Sequence, residues 1–296
     1  CIVPSSGGKD SYYQTIKMLE YGLNPLVVNV IPDKLAEIGR HNMEKKFDGF
    51  KKNNHDTEIE LLLERHCEEF KLSPLDAAKH FPVILRRQLL KRFLAHTELF
   101  QMTLDVPGDI AELGVFRGIG LMTWANLLEA YATGNRSKTV YGFDNWSGFG
   151  SLAPQDGKPS KEAHKTEGGF SPREFREELE NAIEIFDQDR FVGWKPRVKL
   201  IDGDIENSVK AFVKEEPGIR FSLIHFDCDL YTPTCAALDY LWPLLSRGGI
   251  ALFDEYGIPD WPGETTAVDE FLEKNPGIKL KTFAWTNAPA AYLIKE

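Results

Sequence analysis

Between residues 109 and 274 the chain alternates five times between an apolar, β-rich run and a helical one, and no other feature limits its fold as strongly. "DIAELGV" leads to "LMTWANLLEAYA", "TVYGFDNW" to "PREFREELENAIEIF", and "RVKLIDGD" to "IENSVKAFVKE". "FSLIHFDCDL" then leads to "TPTCAALDYLWPLL", and "GIALFDEYG" to "ETTAVDEFLEK". A parallel strand pair needs a crossover long enough to hold a helix, so this alternation predicts an α/β doubly wound, mainly parallel sheet. Two final runs, "IKLKTFAW" and "AAYLIKE", joined by "TNAP", predict an antiparallel hairpin at one edge.

Ligands of such sheets bind beyond the carboxyl ends of the strands, so the last residues of each run are the ones to inspect. All five runs end on acids: Glu112; Asp144; Asp202 and Asp204; Asp227 and Asp229; Asp254 and Glu255. One acidic strand end is an ordinary helix cap. Five in one sheet suggest a site. The first turn, "ELGVFRGIG", places Glu112, Gly114 and Gly118 in an E-x-G-x-x-x-G spacing, unlike the G-x-G-x-x-G that cradles a pyrophosphate. A cofactor without phosphate needs only glycines for close backbone approach and an acid nearby. S-Adenosylmethionine, whose sulfonium tolerates carboxylates, fits that description. Asp144 is then placed for the ribose hydroxyls, and "DGD" at 202–204 for the adenine edge.

Asp227 and the Asp254–Glu255 pair end two strands expected to be neighbours about 5 Å apart, where three carboxylates crowd. A hard divalent cation, Mg²⁺, relieves such crowding and leaves positions for a substrate's oxygens. The polar loop "SLAPQDGKPSKEAHKTEGG" reads as a mobile lid over the site. It offers Asp156, His164 and Glu167 as candidate bases, and the preceding helix offers Glu98.

Upstream, residues 1–50 read as strand, glycine turn, helix and strand, and the polar stretch 47–57 as a boundary. Residues 51–108 read as a helical lid or oligomerisation region, and a homo-oligomer is expected. In "VILRRQLLKRFLAHTELF", Leu85, Leu89, Phe93 and Phe100, with Leu90 and Leu94, form a stripe at helical spacing. The adjacent basic strip Arg86, Arg87, Lys91 and Arg92 reads as a solvated face.

Composition narrows the partners. With 35 basic against 45 acidic side chains the net charge is −10, which disfavours nucleic acid. No apolar run reaches the roughly 18 residues of a membrane span and no signal peptide is evident, so a cytoplasmic chain is expected. The four cysteines, at 1, 67, 228 and 235, form no CxxC pair, which argues for reduced thiols.

"HFDCDLYTPTCAALDYLWPLLSRGGIALFDEYGIPDWPGE", with "FQMTLDVPGDIAELGVFRG" and "YGFDNWSGF", resembles the macrocin O-methyltransferase family over about residues 75–296. The resemblance implies a Rossmann-like, S-adenosylmethionine-dependent and usually metal-dependent enzyme that methylates a sugar hydroxyl, on a nucleotide sugar, a glycosylated natural product or a surface polysaccharide precursor. By position it implies that Glu112, Gly114, Arg117, Gly118, Asp144, Ser147, Asp202, Gly203 and Asp204 surround the cofactor. Asp227, Asp254 and Glu255 would hold the metal; many members have aspartate where Glu255 stands. Asp227, Glu98 and His164 are the candidate catalytic groups.

"CIVPSSGGKDSYYQTIKMLEYGLNPL" and "EIGRHNMEK", within residues 1–46, resemble the start of the PP-loop domain of N-acetyl sugar amidotransferases, in which the SGGKDS turn grips the pyrophosphate of ATP. Lys9 and Ser11 would be its polar partners. The strands that should follow are replaced by the helices of the next region, so a segment without ATP chemistry is expected. Two alternatives to the methyltransferase remain at this point: an ATP-dependent amidotransferase or ligase, and a non-catalytic protein that binds S-adenosylmethionine.

Overall fold

A computed structural model of the chain describes residues 2–5, 26–29, 54–160 and 164–296, and divides it into two compact units, Cys1–Lys52 and Asn53–Glu296. In the first, β1 (Ile2–Ser5) and β2 (Leu26–Asn29) pair in parallel, with Ile2 opposite Leu26 and Ser5 opposite Asn29. The glycine turn with Lys9 and Ser11 lies outside the described residues.

The second unit begins with α1 (Asn54–Glu69), α2 (Pro74–Lys79), α3 (Phe81–Ile84) and α4 (Arg87–Met102). The stretch read as a linker to residue 57 is therefore already helical at Asn54, and Asp56 in that first turn pairs with Arg86. Ser73 starts α2, its hydroxyl accepting the amide of Asp76 at 3.1 Å.

Then come β3 (Asp109–Leu113), α5 (Ile119–Tyr131), β4 (Val140–Asp144), α6 (Arg176–Asp189), β5 (Val198–Asp202) and α7 (Ile205–Glu215). They are followed by β6 (Phe221–Phe226), α8 (Tyr231–Leu241), β7 (Leu245–Phe253), α9 (Pro262–Lys274) and β8 (Ala291–Ile294). The strands form one sheet in the order β5-β4-β3-β6-β7-β8, all parallel but β8. The doubly wound α/β fold is thus present, with its topological switch point between β3 and β6.

All six residues of β6, "FSLIHF", are buried, as a strand covered on both faces requires. Val209 and Phe212 of α7, Leu238 and Leu241 of α8 and Val268 of α9 cover one face of the sheet. Leu99 and Phe100 of α4, Leu121, Trp124 and Leu128 of α5 and Leu179 of α6 cover the other. The antiparallel edge is β8 on β7; the run "IKLKTFAW" joins it by the single bridge Lys281–Tyr292.

The stripe expected on α4 is realised only at its C-terminal end. Ala95, His96, Leu99 and Phe100 are buried, whereas Leu89, Leu90, Phe93 and Leu94 are 40–49% exposed. The helical period thus found the element, while core packing covers only its C-terminal turns.

Candidate active site

The turn after β3 is shaped by glycine. Gly114 has φ +88°, and a Cβ there would lie 2.0 Å from the Asp227 carbonyl oxygen, so the turn and the end of β6 touch through backbone alone. The Asp227 amide donates to the Leu113 carbonyl at 2.9 Å, which locks the same contact. Gly118, at φ +80°, opens α5 in the left-handed region.

Asp144 ends β4 and turns its carboxylate onto that loop. Its Oδ2 accepts the amides of Val115 and Phe116 at 2.9 and 3.0 Å, and its Oδ1 that of Trp146 at 2.8 Å. The Gly203 amide donates to the Asp144 carbonyl at 3.0 Å. Three strand ends expected to surround the cofactor are therefore joined by direct bonds. Asp202 accepts from Trp146 Nε1 at 2.7 Å and from Arg176 at 3.0 Å, Asp204 accepts from Asn145 at 2.9 Å, and the Ser147 amide donates to Asn145 Oδ1. Asn145, Trp146, Ser147, Arg176, Asp202 and Gly203 line a cavity of about 450 Å³. Arg117 stands apart, half exposed, over the Phe175 ring at 4.1 Å and beside Glu178.

Glu112 is buried beneath this turn. Burial pushes its carboxyl up to about 8, against the pull of nearby His225, and its Oε2 has no hydrogen-bond partner among the described residues. An acid with a spare oxygen beside a glycine turn, and a second acid holding that turn open, suit a cationic cofactor bearing a ribose.

His225, wholly buried in β6, links the two halves of the site. Trp124 Nε1 donates to its Nδ1 at 3.3 Å, so the proton of the neutral ring belongs on Nε2, 3.2 Å from Asp254 Oδ1. Its Nδ1 is also 3.6 Å from Glu112. His96 stacks on Trp124 at 4.5 Å, and burial holds its pKa well below the usual histidine range.

At the ends of β6 and β7 the expected trio of carboxylates is divided. Arg92 of α4 places Nη2 2.6 Å from Asp227 Oδ2 and 2.7 Å from Asp254 Oδ2. Although burial opposes it, Arg92 followed by His225 holds Asp254 well below the usual carboxylate range. The solvated face expected of Arg86 and Arg92 is thus corrected: Arg86 pairs with Asp56 and Glu60, and Arg92 with the strand ends. Arg86, the residue before α4, meets half-buried acids of α1, whereas Arg92 is drawn to the acids that end β6 and β7.

Of three groups with ligand-like geometry among the described residues, the one made only of carboxylates is Asp227, Asp229 and Glu255, with one oxygen from each lying within 4.8 Å of the others. Asp229 stands in the left-handed region at φ +62°, beside Asp227 and Glu255, while Asp254, which the sequence reading groups with those two, faces Arg92 and His225. Burial, then the charge of Asp227, pushes Asp229 up to about 7, and burial, then Asp229 and Glu264, pushes Glu255 well above its ordinary value. Glu264 is fully buried on the first turn of α9, where Oε1 accepts the Glu255 amide at 2.8 Å. Glu255 Oε2 and Glu264 Oε2 have no hydrogen-bond partner among the described residues. Hard oxygen donors carrying excess negative charge, with one oxygen unsatisfied, fit a divalent cation.

The loop after β4 is anchored. Asp156, a candidate base, is buried and accepts the amides of Ala153 and Tyr231 at 2.7 Å each, so it caps α8. Lys165 donates to the carbonyls of Asp156 and Asp260 at 2.9 and 2.6 Å. His164 and Glu167 are exposed and line a cavity of about 520 Å³ with Phe116, Phe170 and Phe175. Glu98 is exposed on α4, where its charge acts on Tyr292 of β8, and no described contact joins it to the strand-end acids. Sequence reasoning named Asp229 among the strand-end acids without giving it a role, and missed Arg92, His225 and Glu264 as neighbours of those acids. The one available signal was a histidine inside an otherwise apolar strand.

Known proteins resemble this chain in sequence and in fold. Residues 83–284 match the family model of the macrocin-O-methyltransferases (TylF). The chain is 25% identical over 190 residues to mycinamicin III 3''-O-methyltransferase of Micromonospora griseorubida, covering 62% of this chain and 70% of that one. It is 30% identical over 156 residues to the 8-demethyl-8-(2,3-dimethoxy-α-L-rhamnosyl)-tetracenomycin-C 4'-O-methyltransferase of Streptomyces olivaceus, covering 52% and 54%. Among solved structures, the calicheamicin methyltransferase CalS11 superposes with a TM-score of 0.76 at 30% identity, over 82% of this chain and 93% of that one.

Proposed function

Because this chain belongs to the macrocin-O-methyltransferase (TylF) family of S-adenosylmethionine-dependent O-methyltransferases, we propose that it methylates a hydroxyl of a sugar with the help of a divalent cation. The observation that carries the reading is the backbone contact between the glycine turn at Gly114 and Asp227, which brings the cofactor side of the switch point against the acidic ends of β6 and β7. CalS11 is a TDP-rhamnose 3'-O-methyltransferase and the relative from Streptomyces olivaceus is named for a rhamnosyl-tetracenomycin, which supports a deoxysugar carried on a nucleotide or an aglycone.

When bound, S-adenosylmethionine supplies an electrophilic methyl group, and a divalent cation supplies a Lewis acid that makes an acceptor hydroxyl more acidic. The rest is work for the chain. Asp144 holds the turn in which Gly114 and Gly118 let a ligand approach the backbone, while Asp202, Gly203 and Asp204 bound the adenine side. Ser147 lines the same cavity, and Arg117, over the Phe175 ring, would approach the cofactor from the turn. Asp227, Asp254 and Glu255 would hold the cation, with Asp229 beside Asp227 and Glu255. Asp227 is 24% exposed where Asp254 is nearly sealed, so of these acids it is the one placed to take the acceptor's proton. His164, across the aromatic cavity, would guide the acceptor, and Glu98 would serve only if α4 moved. Fixing acceptor oxygen, methyl carbon and sulfur in line supplies much of the rate.

Asp227→Asn tests the reading. The expected result is loss of methyl transfer with affinity for S-adenosylhomocysteine retained. Undiminished turnover would remove Asp227 from the mechanism, and absence of turnover in both proteins across nucleotide sugars and glycosides would favour a binding protein.

A further inference from the structure

Three residues that are not glycine stand at positive φ around one opening: Phe116 at +50°, His164 at +54° and Phe170 at +50°. A bulky side chain in the left-handed region costs free energy, and such outliers gather where a loop presents side chains to a ligand. The opening is the cavity of about 520 Å³, within the size range of small-molecule sites. Its loop is held in place. The Phe149 amide donates to the Gly169 carbonyl at 2.9 Å and the Gly168 amide to the Phe149 carbonyl at 2.8 Å. A Cβ on Gly169 would lie 1.8 Å from the His164 carbonyl oxygen, so the loop closes on itself through backbone.

The lining has a definite chemistry. Phe116 and Phe170 are 40% and 42% exposed, with ring centroids 5.8 Å apart and planes at 86°. A flat ring stacked on one therefore meets the edge of the other, the two arrangements that aromatic rings favour. Arg117 already lies over the half-buried Phe175 ring, which leaves Phe116 and Phe170 as the better exposed faces. Glu167 is exposed on the same lining. A carboxylate accepts hydrogen bonds and repels anions, so it selects a neutral ring that carries N–H groups and keeps phosphate outside.

The position of the cavity ties it to the acceptor. Phe116 belongs to the glycine turn, where Asp144 Oδ2 accepts its amide at 3.0 Å. Phe170 also approaches Trp261, with centroids 6.3 Å apart, and Trp261 immediately precedes α9, whose Glu264 accepts the Glu255 amide. A ring seated on Phe116 and Phe170 thus lies between the cofactor turn and the segment that leads to the strand-end acids. The adenine of the cofactor would occupy the other cavity, at Trp146, Asp202 and Gly203.

We propose that this cavity is a subsite for the base of a nucleoside diphosphate sugar, which stacks on Phe116 and Phe170 and donates an imide N–H to Glu167. The diphosphate then lies outside the cavity and carries the sugar toward the acidic ends of β6 and β7. The inference rests on the reading that a sugar is the acceptor, and it selects a nucleotide carrier over an aglycone.

The test is calorimetric, on the full chain saturated with S-adenosylhomocysteine and with Mg²⁺ present throughout. The probes are TDP, inorganic pyrophosphate and p-nitrophenyl α-L-rhamnoside. TDP is expected to bind about tenfold or more tightly than pyrophosphate, and Phe170→Leu, which keeps apolar bulk and removes the ring, to weaken TDP about tenfold. Glu167 is exposed, so Glu167→Gln tests the site without touching the packing; it is expected to weaken TDP severalfold without weakening pyrophosphate. Both variants are expected to keep wild-type affinity for S-adenosylhomocysteine, the sign that the cofactor turn is intact. Equal affinity for TDP and pyrophosphate, or TDP affinity unchanged in both variants, overturns the subsite, and methylation of a sugar by the wild type would leave the proposed function standing. Rhamnoside bound more tightly than TDP, with that binding lost in Phe170→Leu, overturns the base in favour of an aromatic aglycone. Base-dependent TDP binding by a chain that methylates no sugar overturns the proposed function while the nucleotide site stands.

Discussion

Asp144 is the residue on which the cofactor side turns. It takes three backbone amides with its carboxylate and a fourth, from Gly203, with its carbonyl. Asp144→Ala orphans the Val115 and Phe116 amides of the turn, and the affinity for S-adenosylhomocysteine is expected to fall by about tenfold or more, measured by calorimetry. An unchanged affinity would place the cofactor elsewhere. Gly114→Ala puts a methyl group against the Asp227 carbonyl at a left-handed φ, so it should destabilise the chain by more than the roughly 1–2 kcal/mol of the backbone strain alone, read from denaturant unfolding. These residues were legible because a glycine turn after a strand, and an acid at the end of the next, announce themselves in the linear sequence. Arg92 was not. Arg92 looked like any basic residue on an amphipathic helix, and only the packing of α4 shows that it faces two acids 135 and 162 positions away.

At the scale of the element, α4 shows where periodicity stops being informative. Its apolar positions recur at helical spacing throughout, but burial begins only where the sheet lies beneath. Leu99→Ala is accordingly expected to lower stability by about 2–5 kcal/mol and Leu90→Ala by less than about 0.5, a contrast that denaturant titration resolves. Equal losses would mean that something covers the first half of the helix. The ends of β6 and β7 carry the opposite lesson. Their acids were read correctly as a crowd, but which of them pair, and with what, depends on side-chain direction. Glu112, Asp229, Glu255 and Glu264 all have folded pKa values above their unfolded ones, so the folded chain holds more protons than the unfolded chain between about pH 5 and 8. Stability of the metal-free protein should therefore fall as pH rises through that window. Mg²⁺ should flatten the slope, as thermal unfolding at several pH values will show, whereas a rise with pH would mean that these carboxylates are compensated already.

For the molecule as a whole, the doubly wound sheet was readable from the alternation of its elements, and the antiparallel edge from the final run. The helical region upstream was readable only in part, because its residues 54–102 fold into the same compact unit as the sheet. Among the described residues no helix is long and apolar enough to cross a membrane. The glycine turn at 5–11 resembles an ATP site, and its Lys9 and Ser11 lie outside the described residues. Lys9→Ala is expected to leave methyl transfer unchanged, and loss of turnover in that variant would join the two units functionally. The most direct test of the whole account is mass spectrometry of a panel of TDP-deoxysugars and deoxysugar glycosides incubated with the enzyme and methyl-labelled S-adenosylmethionine, with Mg²⁺ or with EDTA. The account predicts a labelled methyl ether on a sugar oxygen with Mg²⁺ and its loss with EDTA. Label appearing at an atom other than a sugar oxygen, or undiminished transfer in EDTA, would contradict it.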